Sequence, residues 1–341
     1  MKATILVTGG LGYIGSHTVT ALYEAGFEAV IVDDLSNSTE AVLDGIARIT
    51  GVRPEFYKED LRDPSAVNRI FAENSRLEGI IHFAASKYVG ESIEKPLLYY
   101  ENNLCSLIHL TKEALAHGVR HFIFSSSCTV YGEPEEVPVT EESPVLPAVS
   151  PYGNTKQIGE EILQDVAQAE DLNVILLRYF NPVGAHPTAE IGELPRGVPQ
   201  NLVPFITQTA AGVREELKIF GNDYSTPDGT AVRDYIHVMD LAEAHVVALK
   251  RLLAGENKQK VEVFNVGTGR GNSVLEVVKT FEEVTGKSLP YSFAPRRAGD
   301  ISAVWADTTK AERELGWKAS KTLADALADA WRWEKKVRKI K

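Results

Sequence analysis

Short apolar runs recur along the first half of the chain, spaced so that one helix fits between each pair. Ile5-Leu6-Val7, Ala29-Val30-Ile31-Val32, Gly79-Ile80-Ile81-His82-Phe83, His121-Phe122-Ile123-Phe124 and Val174-Ile175-Leu176-Leu177 read as strands. None alternates polar with apolar, so each is expected to be buried on both faces. Helical patterns fall between them at 16–24, 65–74, 102–116 and 152–168. This alternation predicts an α/β fold, a doubly wound parallel sheet of the Rossmann type with helices on both sides.

After Asn181 the texture changes. Residues 182–230 are rich in Pro and Gly and poor in strand signals. A strand and helix follow over 234–253, a strand over 261–266, a helix over 273–285, and a last helix from Leu323 onward. The pattern predicts a sheet domain over 1–181, to which a segment near 234–266 returns, and a smaller α/β substrate domain built mainly from 182–341. The basic end, 335–341, reads as a frayed, solvated tail.

Composition narrows the function. The 341 residues carry a net charge of −11, which argues against a broad nucleic-acid surface. Any anionic ligand would need local arginines. Two cysteines, Cys105 and Cys128, exclude a disulfide framework and a Cys-rich metal site, and fit reduced thiols in a cytoplasmic protein. His82, His121 and His237 lie in or beside strands without metal-ligand spacing, so no metal is expected. The apolar start is short and broken by glycines, so it reads as a buried strand and not as a signal peptide. No apolar run approaches the roughly 18–20 residues of a membrane span.

Two motifs carry chemistry. Thr8-Gly9-Gly10-Leu11-Gly12-Tyr13-Ile14-Gly15 joins the first strand to the first helix. Gly9 and Gly12 permit a tight turn and close approach of backbone to a pyrophosphate, and Gly15 permits close helix–strand packing. The helix N-terminus adds free N–H groups and partial positive charge. Asp33 ends the second strand, 18 residues after Gly15, where a carboxylate can accept from ribose hydroxyls and repel a 2′-phosphate. The pattern favours NAD. Asp60 could reach the adenine amine, though Asp is also common in turns.

Tyr152 is the only one of 12 tyrosines with Lys four positions on, at Lys156. Four residues on a helix put both groups on one face, roughly 6 Å apart. An ammonium there is expected to lower the phenol pKa and so poise a proton acceptor. Read alone, the pair also fits a surface tyrosine beside a surface lysine.

Together the glycine loop, a serine-rich strand end and Tyr-x-x-x-Lys resemble the extended short-chain dehydrogenase/reductase superfamily. Four further stretches sharpen the likeness: Ser125-Ser126-Ser127-Cys128-Thr129-Val130-Tyr131-Gly132, Arg178 to Pro187, Gly229 to Val238, and Ala294-Pro295-Arg296-Arg297-Ala298-Gly299-Asp300. They are similar to the UDP-glucose 4-epimerase family over nearly the whole chain.

The resemblance implies a UDP-sugar substrate held between two domains and an NAD that stays bound through the cycle. It makes Tyr152 the base at the sugar 4-hydroxyl, Lys156 the partner of the nicotinamide ribose, and Ser127 the proton partner. It implies cofactor contacts from Tyr13, Ile14, Asn37, Leu61, Phe83, Ala84, Ala85, Lys87, Asn102 and Tyr179, beside Gly9, Gly12, Gly15, Asp33 and Asp60. It implies substrate contacts from Asn181, Asn201, Leu202, Phe220, Arg233, Tyr235, Arg297 and Asp300, and a homodimer formed through helices 102–116 and 152–168.

The dehydratases on this scaffold resemble the chain but carry Asp-Glu where it has Cys128-Thr129, and the decarboxylases want Glu at Thr129. A non-catalytic NAD-sensing protein could discard Tyr152 and Lys156, which this chain keeps. Val304 matches a family position that is Tyr in some members and small in others. A small residue is expected to admit N-acetylated sugars, unless Val304 simply faces a core.

Overall fold

The computed structural model describes residues 2–297 and 299–340. Seven parallel strands form the main sheet: β1 (Thr4–Thr8), β2 (Glu28–Val32), β3 (Glu55–Tyr57), β4 (Leu77–His82), β5 (His121–Ser125), β6 (Asn173–Tyr179) and, from much later, β11 (Val261–Val266). Their order is β11-β6-β5-β4-β1-β2-β3, so the winding reverses at the β1/β4 crevice. Ligands in such sheets bind at that reversal, outside the carboxyl ends of the strands.

Successive residues explain why these runs are apolar throughout. Ile5 and Val7 point into one core with Val19, Leu22, Leu241 and Leu249. Leu6, between them, points into the other core with Val67, Leu110 and Leu163. The first core is roofed by α1 (Tyr13–Glu24), α2 (Ala41–Thr50) and α9 (Val238–Leu253). The second is roofed by α3 (Pro64–Glu73), α6 (Ser106–Ala116) and α7 (Pro151–Ala169), with the short α4 (Val89–Glu94) and α5 (Pro96–Tyr100) packed on α7. The helix expected over 102–116 begins instead as a π turn at Glu101–Cys105.

The second unit has a core of its own around Val203, Ile206, Ile219, Phe281, Leu327 and Trp331. It contains α8 (Leu202–Ala210), α10 (Val274–Thr285) and α11 (Leu323–Arg338). Three small sheets complete it: β7 (Asn181–Val183) with β10 (Tyr235–His237); β8 (Leu217–Phe220) with β13 (Tyr291–Ala294); and β9 (Val232–Arg233) between β12 (Asn272–Ser273) and β14 (Ala303–Val304). The tail expected to fray is helical through Arg338, because Trp331 and Glu334 on α11 are buried. Lys341 lies outside the described residues.

The return of the chain to the main sheet is fixed by a buried ion pair. Arg251 on α9 donates to both carboxylate oxygens of Glu262 on β11, at 2.7 and 2.9 Å, with both side chains under a tenth exposed. Removing one partner strands the other charge. Glu262→Gln is expected to cost about 3–5 kcal/mol of stability, read as a lowered urea midpoint at unchanged slope.

Candidate functional site

The glycine loop is shaped by contacts that no side chain could share. Gly9 has φ +67°, and a Cβ there would sit 2.8 Å from the Ala84 nitrogen. A Cβ on Gly15 would sit 2.3 Å from the Gly9 carbonyl oxygen. Gly12 caps α1 without a side-chain bond, leaving the first-turn amides available to an anion. The cradle therefore fits a dinucleotide pyrophosphate.

Asp33 is buried at the end of β2. One carboxylate oxygen accepts from Leu11 N at 3.1 Å, the other from Leu35 N at 2.9 Å and Ser38 Oγ at 2.6 Å. Burial pushes its pKa up and these bonds oppose the shift. Leu35, in the same turn, holds φ +62°, a strained value for a residue with a Cβ. Phe83, Ala84 and Ala85 follow β4, with Phe83 N bonded to Thr8 O and its ring 4.7 Å from that of His245. Tyr13 donates to Gly184 O at 2.7 Å and so ties α1 to the second unit, while Ile14 packs on the first core.

The outer cofactor candidates have partners of their own. Asn37 accepts from the Tyr88 hydroxyl, and Asn102 donates to Ser86 Oγ. Asp60 is gripped by Arg62 through both oxygens, and that guanidinium pulls its pKa down. Leu61 is buried in the second core.

At the other side of the crevice, Ser150 caps α7 by accepting from Gly153 N, and Pro151 starts the helix. Tyr152, Lys156 and Ser127 are all buried, at 7%, 4% and 6% exposure. Lys156 Nζ donates to Ser125 O at 2.7 Å and lies 6.0 Å from the Tyr152 ring centre. The spacing expected from the helix is met, but the expected effect on the phenol is not. Burial raises the Tyr152 pKa well above its ordinary value, Tyr179 beside it adds to the rise, and the Ser127 hydroxyl acts the other way. The ammonium is spent on the Ser125 carbonyl and is itself pushed down to about 8 by burial. Cys128 is half-buried, and desolvation pushes its thiol up to about 12.

The two arginines expected to meet an anionic substrate both have partners within the protein. Arg233 on β9 donates to Val232 O and Ile301 O and lies 3.6 Å from Asp300. Arg297 lies 4.2 Å over the Phe220 ring. Tyr235 pairs with Asn181 in the β10–β7 ladder, and burial pushes its phenol up to about 12. Val304 sits opposite Arg233 in register but is 3% exposed, packed with Val130, Tyr131, Phe180 and Ala306. In this chain it faces a core.

Sequence reasoning missed the segment that closes the crevice. Asn201, before Leu202 at the start of α8, donates to Glu193 at 2.6 Å, and Lys87 Nζ lies 4.0 Å from the same oxygen. Arg196 donates to Ser36 O and Ser38 O in the loop after Asp33. A cavity of about 260 Å³ lies beneath, lined by Leu11, Tyr13, Asn37, Lys87, Glu193 and Arg196. A larger cavity, about 440 Å³, opens beside Thr4 and Glu28 at the opposite ends of the strands, away from all of this chemistry. No motif marks Glu193 or Arg196, since Lys87, Ser36 and Ser38 lie far off in sequence.

The family model described as GDP-mannose 4,6 dehydratase matches residues 6–330. UDP-glucose 4-epimerase GEPI48 of Cyamopsis tetragonoloba is 53% identical, covering 98% of this chain and 95% of its own. UDP-glucose 4-epimerase of Bacillus subtilis strain 168 is also 53% identical, covering 97% and 96%. The chain belongs to the UDP-glucose 4-epimerase family. The crystal structure of the Bifidobacterium longum epimerase in complex with NAD+ and UDP is 48% identical, with a TM-score of 0.94 over 98% of both chains.

A base whose pKa falls on folding destabilises the native state while charged and stops doing so once neutral. For Lys156 the unfolded chain binds more protons between about 8 and the ordinary 10.5, so stability rises with pH across that window. Urea midpoints of wild type and Lys156→Met should therefore shift relative to each other, in favour of wild type, from pH 8 to pH 10.5. A constant gap would mean that Lys156 titrates normally.

Proposed function

We propose that this protein reversibly epimerises UDP-glucose and UDP-galactose at C4, with NAD as its bound cofactor. The observation that carries the reading is Tyr152, Ser127 and Lys156 buried together beside a dinucleotide cradle, in a chain of this family. When bound, NAD supplies a reversible hydride acceptor and a positive ring, so a carbon whose hydrogen is not acidic can lose and regain its stereochemistry.

The chain's residues handle the proton and the position. Tyr152 takes the 4-hydroxyl proton, and Ser127, which already lowers the phenol, hydrogen-bonds the same oxygen. Lys156, anchored to Ser125 O, holds the ribose side of the cofactor and keeps a positive charge below pH about 8. Asp33 with Gly9, Gly12 and Gly15 would hold the adenosine half. Arg233 and Arg297 offer forked donors to the diphosphate, while Phe220 and Tyr235 flank the nucleotide.

Removal of water from the sugar would need an acid–base pair after Ser127. A thiol at about 12 and a threonine supply none at neutral pH, which speaks against the dehydratase reading. The homodimer expected through α6 and α7 is supported by Ile93, Leu97 and Leu98, exposed on the adjoining α4 and α5. The free thiols of Cys105 and Cys128 fit a cytoplasmic setting.

Purified protein given UDP-galactose and no added cofactor should form UDP-glucose. Tyr152→Phe should keep its NAD, seen by absorbance after denaturation, yet lose at least about a thousandfold in kcat. Bound NAD without turnover of any UDP-sugar would instead favour a sensing protein. Val304 is packed in a core, so its small size gives no ground for expecting turnover of UDP-N-acetylglucosamine.

A further inference from the structure

The face of α7 that carries Tyr152 and Lys156 carries a third group one turn further on, Glu160, which has no part in the chemistry above. It is buried, at 3% exposure. Each of the three groups meets one member of the serine run after β5. Tyr152 meets Ser127, whose hydroxyl lowers the phenol. Lys156 donates to the Ser125 carbonyl. Glu160 accepts from Ser126 Oγ at 2.5 Å. The helix and the run are therefore closed together at three successive points.

Glu160 is held from behind. Arg178 on β6 donates through Nε at 3.0 Å and Nη2 at 2.6 Å, one bond to each carboxylate oxygen. Arg178 lies 4.9 Å over the Tyr131 ring, and Tyr131 donates to Asn265 at 2.6 Å. The carboxylate cannot rotate away without stranding the guanidinium. The helix can come this close because residue 159 is glycine: a Cβ there would lie 2.8 Å from the tip of Phe124.

We propose that Glu160, clamped by Arg178, is a positioning residue for the reaction: through Ser126 it fixes where the Ser127 hydroxyl and the Ser125 carbonyl stand relative to Tyr152 and Lys156. Ser126 sits between the two working serines, and its hydroxyl is the one that meets Glu160. A hydroxyl displaced by a fraction of an ångström loses its alignment with the reacting oxygen, and such misplacement lowers turnover more than binding.

Charge gives the clamp a second signature. Lys156 faces Tyr152 and Glu160 on its own helix and His82 from β4. His82 is neutral at working pH, pushed down to about 3 by burial, and Tyr179 on β6 is also uncharged there. Glu160 is then the near carboxylate that favours the ammonium, with Arg178 behind it. Replacing Glu160 by Gln removes that support and leaves the guanidinium, so Lys156 should lose its proton at lower pH than in wild type.

The proposal rests on the epimerase reading, and the test separates the two. Ser126→Ala removes the tether with little change of volume and none of charge. It should lower kcat for UDP-galactose about tenfold, with KM within twofold, NAD retained, and the alkaline limb of kcat unmoved. Glu160→Gln should lower kcat and also shift that limb to lower pH. Its Lys156 titration, read from urea midpoints against the Glu160→Gln/Lys156→Met double variant, should move the same way whether or not the protein turns over a sugar. Wild-type kcat in Ser126→Ala, or a Lys156 titration unmoved by Glu160→Gln, would overturn the clamp while leaving the epimerase reading intact. Absence of turnover in wild type itself would overturn both.

Discussion

How closely α7 lies on β5 decides what the site can do. A helix packs on a sheet at a distance set by the side chains between them, and here glycine at 159 removes one of those side chains above Phe124. The gain is reach. Lys156 can bury its ammonium against a main-chain carbonyl, and Tyr152 can sit against Ser127 out of water. The cost is desolvation, which drives the phenol up and the amine down together. The burial that brings these groups together thus leaves the phenol protonated in the protein by itself.

The same economy governs the electrostatics of the whole molecule. The chain is acidic overall, and its cations near the substrate side are held in place by carbonyls, carboxylates and rings. Arg233 is fixed by two backbone oxygens and Arg297 is stacked on Phe220. Arginines held this way would lose little freedom in the diphosphate role proposed for them, because their forks are already oriented. Net charge is a poor guide to ligand charge when the few groups that matter are preorganised.

Much of this was legible in the residues, and what was not has a common cause. Strands buried on both faces leave continuous apolar runs, so β1, β2, β4, β5 and β6 stand out. Glycines forced by backbone contacts, as at Gly9 and Gly15, leave a motif. Strands of two to four residues leave neither, which is why β7 to β9 and β12 to β14 were not seen, while β10 was, at the head of the strand and helix expected over 234–253. Helix α8 was hidden for the same reason, its start at Leu202 lying just after a proline. Glu193, Arg196 and Glu160 were invisible in another way. Their importance lies in partners far off in sequence, and nothing local distinguishes a clamping carboxylate from a solvated one. The phenol pKa failed as an inference because helix geometry fixes a separation but says nothing about burial.

The segment from Ala185 to Arg196 is attached to both halves of the molecule. Glu190 pairs with Arg48 on α2 and with Lys336 on α11, and Trp333 lies over Gly192 while donating to Glu193 O. Arg196 then reaches across to the loop after Asp33. A crossbeam fastened at both ends resists the two walls swinging apart, so the width of the gap between them is set in large part by this one segment.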